Sequence, residues 1–347
     1  KHMKGNTIIL DHLDGAEAAA LMVDGKLHDL IIDSDAPRPG TVYRAIADKP
    51  VKGQGGMFLK TPDGSAFLRQ IKGLAPGQEI LVQVSGYAEP GKAIPVTQKL
   101  LFKSRYAIIT PDAPGLNVSR SIRDDDLRDT LLEIAHETMA PVAAEGRELG
   151  LILRSSCADA DADDIADDIL AMATLAQTVL DDAGHGAEVL TEGDGPHILA
   201  WRDWTDPAEV VTDEGSFDAH SVLDAIDAAR GAWVDLGGGA SMYVEETRAL
   251  VAVDVNTGND ASLAGGLKAN LSAARALPTA LRVRGLGGQI VMDLAPMPKK
   301  DRRTFESALR AALRGDTIET ALVGWTPLGH MELQRKRARA PLPPEAA

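Results

Sequence analysis

The chain has 347 residues, a formal net charge of −15, and 44% hydrophobic but only 4% aromatic residues. This length exceeds what one hydrophobic core normally supports, so we expect several small domains. No apolar run approaches the roughly 20 residues of a membrane-spanning helix, and the single cysteine, Cys157, excludes an internal disulfide and a cysteine-based zinc cage within one chain. We therefore expect a cytoplasmic protein with no membrane partner.

The acidic net charge argues against a nucleic-acid partner, but the charge is unevenly distributed. Residues 155–201 contain no Lys or Arg, whereas basic residues outnumber acidic ones between Lys299 and Arg339. The average hides a basic C-terminal region, so net charge does not exclude nucleic acid.

The first hundred residues are predicted to be mainly β-structure. Residues 6–33 predict a strand, a short helix around Ala16–Leu21 and a return strand near Leu27–Ile32, before the breaker sequence DAPRPG. From Thr41 to about Leu101, about five short segments rich in β-formers are separated by Gly-rich turns. This pattern predicts a small closed barrel of the OB type, a fold that often binds single-stranded nucleic acid.

The remaining chain alternates between helices and strands, which predicts a mixed sheet with helices packed on it. The predicted order is strand YAIIT, helix Asp124–Glu137, strand GLILR, acidic helix Asp159–Ala183, helix SVLDAIDAARGAW, hairpin 233–246, strand ALVAVDV, helix 261–282, strand GGQIVMDL and basic amphipathic helix 299–314. No internal repeat interrupts this order.

Two apolar strands in the last third each end in an aspartate. Ala249–Val253 leads into Asp254, and Gln289–Met292 leads into Asp293. Neighbouring strands lie roughly 4.8 Å apart, so the carboxylates can meet at one sheet edge, where they repel unless a cation joins them. Mg²⁺ suits such a site because it needs only one or two protein carboxylates beside water and phosphate oxygens. Asn256 points to the same face as Asp254 and can bind the metal or fix a carboxylate.

An aspartate that ends a strand is, taken singly, more often a turn or helix-cap residue, and longer motifs change this balance. The segments EETRALVAVDVNTGN, ANLSAARALPTALRVRGLGGQIVMDL and GHMELQRKRARAPL resemble the catalytic region of the ribonuclease E/G family over about residues 237–342. The resemblance implies a DNase I-like domain in which Asp254 and Asp293 hold magnesium and Asn256 supports it. It also implies internal cleavage of single-stranded RNA that leaves a 5′-phosphate on the downstream fragment.

Upstream motifs extend the resemblance to the family's RNA-binding barrel. MF and AFL imply that Phe58 and Phe67 stack on RNA bases, and GKAIPVTQKLLFKSRY implies that Lys92 contacts RNA. For the two phenylalanines, a role as core aromatics of the barrel is the alternative.

The sequence GLILRSS resembles the family's 5′-sensor motif. The resemblance implies that Arg154 and Ser155 grip a 5′-monophosphate, because an arginine fork suits phosphate, and that Arg120 in NVSRSI adds a further positive charge. A plain surface arginine is the alternative. Ser155 replaces the usual threonine, and the stretch that follows is short and acidic, which can weaken or abolish 5′-end binding.

The basic residues of the C-terminal region are expected to contact the RNA backbone, and for the helix Lys299–Arg314 an ordinary solvated face is the alternative. After Leu342 there is no paired-cysteine motif of the kind through which longer family members share zinc between subunits. No zinc-linked tetramer is therefore expected, and the expected state is a monomer or a dimer.

The predicted fold class is α/β, in a multi-domain α+β arrangement. The predicted domains are a first RNase H-like segment at 1–36, the OB-fold barrel at 37–104, the 5′-sensor domain at 105–189, a second RNase H-like segment at 190–226 and the DNase I-like catalytic domain at 227–347. The predicted function is magnesium-dependent endoribonuclease activity in RNA processing, including rRNA processing, or decay. Two alternatives stay open: a non-catalytic RNA-binding protein acting in ribosome assembly or RNA metabolism, and a metal-dependent phosphodiesterase acting on DNA or a small nucleotide.

Overall fold

A computed structural model describes residues 4–345 and has the predicted mixed α/β class. Its contacts divide into two units, one formed by the chain up to Ser34 together with the chain from Pro207 onward, the other by Asp35–Asp206. Within residues 4–345, no helix is both long enough and apolar enough to cross a membrane. The unit boundary falls inside the predicted segment 190–226, and the limits of the five predicted domains stay predictions.

The secondary structure of the described residues is as follows. The strands are β1 (Asn6–Leu13), β2 (Ala16–Val23), β3 (Lys26–Ile32), β4 (Val42–Val51), β5 (Gly56–Thr61), β6 (Gly64–Leu68), β7 (Glu79–Val84), β8 (Ile94–Thr97), β9 (Phe102–Lys103), β10 (Ala107–Thr110), β11 (Leu116–Val118), β12 (Gly150–Leu153), β13 (Glu188–Thr191), β14 (Glu209–Val211), β15 (Trp233–Gly237), β16 (Ala240–Glu246), β17 (Val251–Asn256), β18 (Gly288–Asp293), β19 (Thr320–Trp325) and β20 (Met331–Arg335). The α-helices are α1 (Asp125–Ala144), α2 (Ala162–Leu180), α3 (Pro196–Asp203), α4 (Ser216–Ala219), α5 (Val222–Arg230), α6 (Leu263–Arg284) and α7 (Arg302–Arg314), and 3₁₀ helices cover Ser155–Asp159 and Lys299–Asp301.

The first three strands form a meander through two Asp-Gly turns. Asp14 and Gly15 have φ of 50° and 82°, and Asp24 and Gly25 have φ of 49° and 78°, as type I′ hairpin turns require. The predicted helix around Ala16–Leu21 is therefore wrong, because this segment is strand β2 and pairs with both β1 and β3. Its alanines favour a helix, but the hairpin turns and the two ladders of hydrogen bonds override that propensity.

Strand β14 extends this sheet by pairing in parallel with β1, giving the order β14-β1-β2-β3. Helices α4 and α5 contribute Phe217 and Ile226 to a core that also holds Ile9 and Met22. The return of the chain after Pro207 thus completes the N-terminal sheet.

In the second unit, β4, β5, β6, β8 and β7 form a closed five-stranded barrel, because β7 pairs back with β4. Its interior is filled by aliphatic side chains such as Leu59 and Val82, both fully buried. The prediction of an OB-type barrel is confirmed in its architecture.

The other portion of the second unit is a small α/β layer with sheet order β11-β12-β10-β9. Helices α1 and α2 cover it, and α1 starts where the Asp124 side chain accepts a hydrogen bond of 2.9 Å from the amide of Leu127. The helix continues past its predicted end at Glu137 to Ala144.

The C-terminal portion of the first unit is a six-stranded sheet with order β15-β16-β17-β18-β20-β19. Its predicted hairpin and both apolar strands are confirmed, and α6 and α7 pack on one face around Val253, Met292 and Leu277. Residues of β17 alternate between buried and less buried positions, so one face lies in the core and the other faces solvent.

Candidate active site

The parallel pair β17 and β18 sets Asp254 directly beside Asp293. Val253 and Val255 are buried in the core, so strand alternation turns the intervening Asp254 to the exposed face. The Asp293 side chain is 66% exposed on the same face. The sheet therefore brings the two carboxylates together at adjacent strand ends, about 4.8 Å apart in backbone position.

Asn256 is the last residue of β17 and is exposed on the face that carries Asp254. The chain just after it packs against the β15–β16 hairpin, where a Cβ on Gly258 would lie 2.2 Å from the carbonyl oxygen of Gly239. Gly258 also has a φ of +68°, so only glycine fits here without strain. This close approach fixes the backbone that presents Asn256.

Helix α6 contacts the loop after Asp293 and fixes its backbone by hydrogen bonds. The fully buried Asn270 donates from Nδ2 to the carbonyl of Ala295 and accepts from its amide, both at 2.9 Å. A Cβ on Gly266 would lie 1.9 Å from the carbonyl oxygen of Pro296, so the helix touches the same loop. Asn270 was not predicted as a functional residue, although an asparagine inside an Ala/Leu helix is a signal that the side chain bonds to something outside the helix.

His330 is a second residue that was not predicted from the sequence. Its Nε2 lies 3.6 Å from Oδ1 of Asp293, and its side chain is 33% exposed. It stands one residue beyond the Met292–Met331 pair, so the β18–β20 register carries it to Asp293. No histidine spacing in the sequence pointed to it, because its partner lies on another strand.

The oxygen donors at this edge fit magnesium. Asp254 and Asp293 are neighbouring, solvent-facing carboxylates, and within residues 4–345 the Asp254 carboxylate has no hydrogen-bond or ion-pair partner. In the same described part of the chain, no three His, Cys, Asp or Glu side chains are grouped to hold a metal. A metal here would rest on two carboxylates, with Asn256 available as an amide donor and water or phosphate filling the other positions, as Mg²⁺ accepts.

The basic residues near the six-stranded sheet form two groups, one around the start of α7 and one at Arg335 and Arg339. The guanidinium of Arg302 lies 4.5 Å from the centre of the Trp325 ring and approaches Gly329, the residue before His330. Lys299 and Lys300 are exposed positive charges immediately before the basic helix α7.

The predicted RNA contact of the C-terminal basic residues is wrong for Arg335 and Arg339. Arg335 is 1% exposed, and its Nη1 lies 2.6 Å from Oδ2 of Asp316. Arg339 bonds to Oδ2 of the buried Asp29 at 3.1 Å. Ion pairing explains this correction, because Arg335 is buried and the Arg339 side chain is only 12% exposed.

The barrel carries Phe58 and Phe67 as a cross-strand pair on β5 and β6. Their ring centroids are 5.1 Å apart, tilted at 50°, and Phe58 is 36% exposed. The neighbouring Met57 and Leu59 fill the barrel interior, so alternation turns Phe58 outward. A Cβ on Gly56 would lie 2.4 Å from Cζ of Phe67, so the Phe67 ring lies directly on this glycine. The pair is therefore a surface feature and does not belong to the barrel core.

Lys92 lies between β7 and β8 with its side chain 70% exposed. Its Nζ forms an ion pair with Glu89, three residues earlier. The lysine is accessible, but this partner offsets some of its charge, and its predicted RNA contact stays a prediction.

Arg154 follows β12, and its guanidinium is bound to protein acceptors. Nη1 donates to the carbonyls of Ser104, Arg105 and Arg202 at 2.6, 3.3 and 3.0 Å. Nη2 donates to Oδ1 of Asp203 at 3.0 Å, and the side chain is 18% exposed. A 5′-phosphate would have to compete with these acceptors, so the geometry favours a structural role, and the sensor role stays a prediction.

The other two predicted sensor residues lie at the same sheet end as Arg154. Ser155 is exposed at the start of its 3₁₀ helix, and Arg120 is exposed after β11. The amide of Ser119 donates to the carbonyl of Leu153 at 2.8 Å, which joins the ends of β11 and β12. Arg120 is thus the more accessible of the two arginines.

The chain shares sequence similarity with known proteins over most of its length. The model of the ribonuclease E/G family matches residues 102–214 and 202–338. Ribonuclease G of Salmonella typhimurium (strain SL1344) is 25% identical over 95% of this chain and 80% of its own length. Ribonuclease G of Haemophilus influenzae is 23% identical over 93% of this chain and 78% of its own length, and Ribonuclease E of Synechocystis is 25% identical over 92% and 55%. Because the family model covers well over half of the sequence, the chain belongs to the ribonuclease E/G family.

Proposed function

We propose that the chain is a magnesium-dependent endoribonuclease whose active site is built from Asp254, Asp293 and Asn256. The observation that carries the proposal is the in-register pairing of two exposed carboxylates near the ends of neighbouring strands, in a member of this family. The relatives reported above are named ribonucleases, and the proposal extends that activity to this chain.

In the proposed mechanism, Asp254 and Asp293 would hold Mg²⁺, with Asn256 as a further donor or as a support for a carboxylate. When bound, the ion would supply polarisation of a phosphodiester and a lowered pKa of water. The protein's role is to hold these oxygens in position, and Asn270 does so indirectly by fixing the loop after Asp293.

The proposed reaction is hydrolysis of an internal phosphodiester. A water oxygen adds to phosphorus, the bond to the 3′-oxygen breaks, and that oxygen takes up a proton. The 5′-phosphate stays on the downstream fragment. His330 lies beside Asp293, with its Nε2 3.6 Å from Oδ1 of that carboxylate.

The proposed substrate is single-stranded RNA, in processing that includes rRNA or in decay, and the proposed location is the cytoplasm. Phe58 and Phe67 would stack on bases, because exposed aromatic rings bind unpaired bases without sequence preference. Lys92 would contact the backbone. Arg120, Arg154 and Ser155 form the proposed 5′-monophosphate sensor, in which Arg120 is the accessible cation.

The test is cleavage of an AU-rich, 5′-monophosphorylated, single-stranded RNA in magnesium or in EDTA. Wild type is compared with Asp254→Asn, Asp293→Asn and the control Glu214→Gln, an exposed carboxylate outside the six-stranded sheet. We expect internal cleavage that needs magnesium, disappears in both aspartate variants and persists in the control. Equal cleavage by all four proteins would show that the active site lies elsewhere.

Measurements of RNA binding and of DNA cleavage separate this proposal from the two alternative functions. Tight RNA binding without cleavage, unchanged in Asp254→Asn and Asp293→Asn, would favour the non-catalytic RNA-binding protein. Equal cleavage of a matched DNA would favour the general phosphodiesterase. Comparing 5′-monophosphate with 5′-hydroxyl RNA in Arg120→Ala and Arg154→Ala tests the sensor, which is wrong if neither change alters the preference.

A further inference from the structure

The row of Asp254 and Asp293 continues across the exposed face of the six-stranded sheet. Tyr243 on β16 is the register partner of Asp254, and Trp233 on β15 is the register partner of Tyr243. On the other side, His330 lies beside Asp293. Four strands and the residue preceding β20 thus place five side chains in one line.

Both aromatic side chains in this row face solvent. Trp233 is 55% exposed and Tyr243 is 42% exposed. Met242 and Val244, on either side of Tyr243, are buried at 0% and 3%, so strand alternation places the ring on the face opposite the core. Aromatics make up only 4% of the chain, so composition alone does not explain two exposed neighbours beside an active site.

We propose that Trp233 and Tyr243 form a base-stacking platform for the nucleotides next to the scissile phosphate. The inference rests on the proposed nuclease function, because it takes Asp254 and Asp293 as the place where the phosphate lies. Tyr243 is one strand away from Asp254 and Trp233 is two strands away, about 5 and 10 Å in backbone position. A strand of RNA that crosses the sheet along this row would bring successive bases over the two rings.

The surroundings of the row favour bases over phosphates. Asp235 and Glu245 are exposed on the same face on either side of the row, and their negative charges would repel an RNA backbone lying over the rings. Bases are uncharged, and only unpaired bases can expose a face to an aromatic ring. The platform would therefore select single strands at the point of cleavage.

The test uses cleavage-deficient Asp293→Asn protein, so that binding is measured without turnover. Into it are placed Trp233→Ala, Tyr243→Ala or the control Val323→Ala, an apolar residue 61% exposed on β19 of the same sheet. We expect roughly 5- to 100-fold weaker binding of single-stranded RNA for each aromatic change and no change for the control. Circular dichroism melts check that the variants are folded.

Conservative variants separate stacking from simple apolar contact. Trp233→Phe and Tyr243→Phe keep an aromatic face and are expected to retain most of the affinity, whereas Trp233→Leu keeps apolar area and is expected to lose it. Equal affinities for Trp233→Leu and Trp233→Phe would overturn the stacking assignment.

A double-mutant cycle between the protein and the RNA identifies which base stacks on the platform. An abasic nucleotide is placed at each position next to the bond that the wild-type enzyme cuts. At the position that stacks, removing the base is expected to weaken binding by the Asp293→Asn protein. It is expected to have little further effect when Trp233→Ala or Tyr243→Ala is also present, because the interaction is already lost. Additive losses at every position would overturn the platform.

The two proposals fail in different ways. If the wild type cleaves RNA with magnesium and both aspartates are needed, but Trp233→Ala and Tyr243→Ala bind like Val323→Ala, the platform is wrong and the nuclease stands. If RNA binding depends on both aromatics but no cleavage occurs, the platform stands as an RNA-binding surface and the nuclease proposal is wrong.

Discussion

The side chain of Asn270 and the backbone of Ala295 exchange two hydrogen bonds of 2.9 Å inside the core of the six-stranded sheet. Ala295 lies two residues after Asp293, so helix α6 determines the path of the chain that leaves the proposed metal site. Asn270 is fully buried and cannot contact a substrate. It therefore acts through the backbone that it holds, as a positioning residue.

Replacing Asn270 tests this role. In Asn270→Leu the amide and carbonyl of Ala295 lose their buried partners, and we expect a loss of about 1–3 kcal/mol in the free energy of unfolding. We also expect kcat for RNA cleavage to fall about 10- to 100-fold, because displacement of Asp293 disturbs the reacting geometry. Urea denaturation and cleavage rates measure both effects, with Lys268→Ala on the exposed side of α6 as the control. A folded variant with normal kcat would contradict the positioning role.

Gly56 tests the aromatic pair of the barrel without removing it. The Cβ of Gly56→Ala would lie 2.4 Å from Cζ of Phe67, so the ring has to move. We expect weaker RNA binding, approaching the loss in Phe67→Ala, and a cost in stability of about 1–3 kcal/mol from overpacking. Binding isotherms for both variants and for Ser65→Ala, an exposed change on the same hairpin, provide the measurement. Normal RNA affinity in Gly56→Ala and Phe67→Ala would remove the pair from the binding surface.

Asp203 predicts a pH dependence of stability. Burial alone would raise the pKa of this carboxyl, but Arg202, Lys103 and Arg154 outweigh burial and lower the pKa from 3.8 to about 2. A carboxyl with a lowered pKa in the folded state stabilises the fold at pH above 4, and this contribution is lost as the pH falls from about 4 to about 2.

The corresponding variant is Asp203→Asn. At pH 7 we expect it to be less stable than wild type by about 2 kcal/mol, a difference that shrinks as the pH approaches 2. Urea denaturation at several pH values measures the difference, and Asp206→Asn, an exposed change three residues later, is the control. A difference that is the same at about pH 2.5 and pH 7 would show that the charge of Asp203 is not the cause.

Asp316 joins two arginines inside the first unit. Its side chain has no exposed surface and lies 2.7 Å from Arg282 and 2.6 Å from Arg335. In Asp316→Ala both guanidinium groups lose a buried partner, and we expect the free energy of unfolding to fall by about 3–5 kcal/mol. Urea denaturation measures this, with the exposed Glu319→Ala as the control. If Asp316→Ala lowered the free energy of unfolding no more than Glu319→Ala does, the two arginines would not depend on the Asp316 carboxylate.

The sequence alone was sufficient for the features that local pattern controls. Apolar segments that end in Asp254 and Asp293 predicted two core strands with carboxylates at their ends, and the period of two in strands placed Asn256 on the same face as Asp254. The barrel and the long helix α6 were also predictable, because Gly-rich turns and an extended Ala/Leu pattern mark their limits.

Tertiary structure decided the features that depend on partners far apart in the chain. Residues 16–21 have the composition of a helix but form a strand because two neighbouring strands pair with them. Arg335 and Arg339 look like RNA-binding residues, but Arg335 is buried against Asp316 and the largely covered Arg339 is paired with the buried Asp29. The packing of distant elements sets this exposure.

The same reason explains the active-site row. That Asp254 lies near the end of an apolar strand can be read from its own segment. Its neighbours Tyr243 and Asp293 and, beyond them, Trp233 and His330 are assigned by strand order and register. A register shift of one residue would turn each of these side chains to the other face. The sequence therefore determined which residues could carry the chemistry, and long-range strand pairing decided which of them stand side by side.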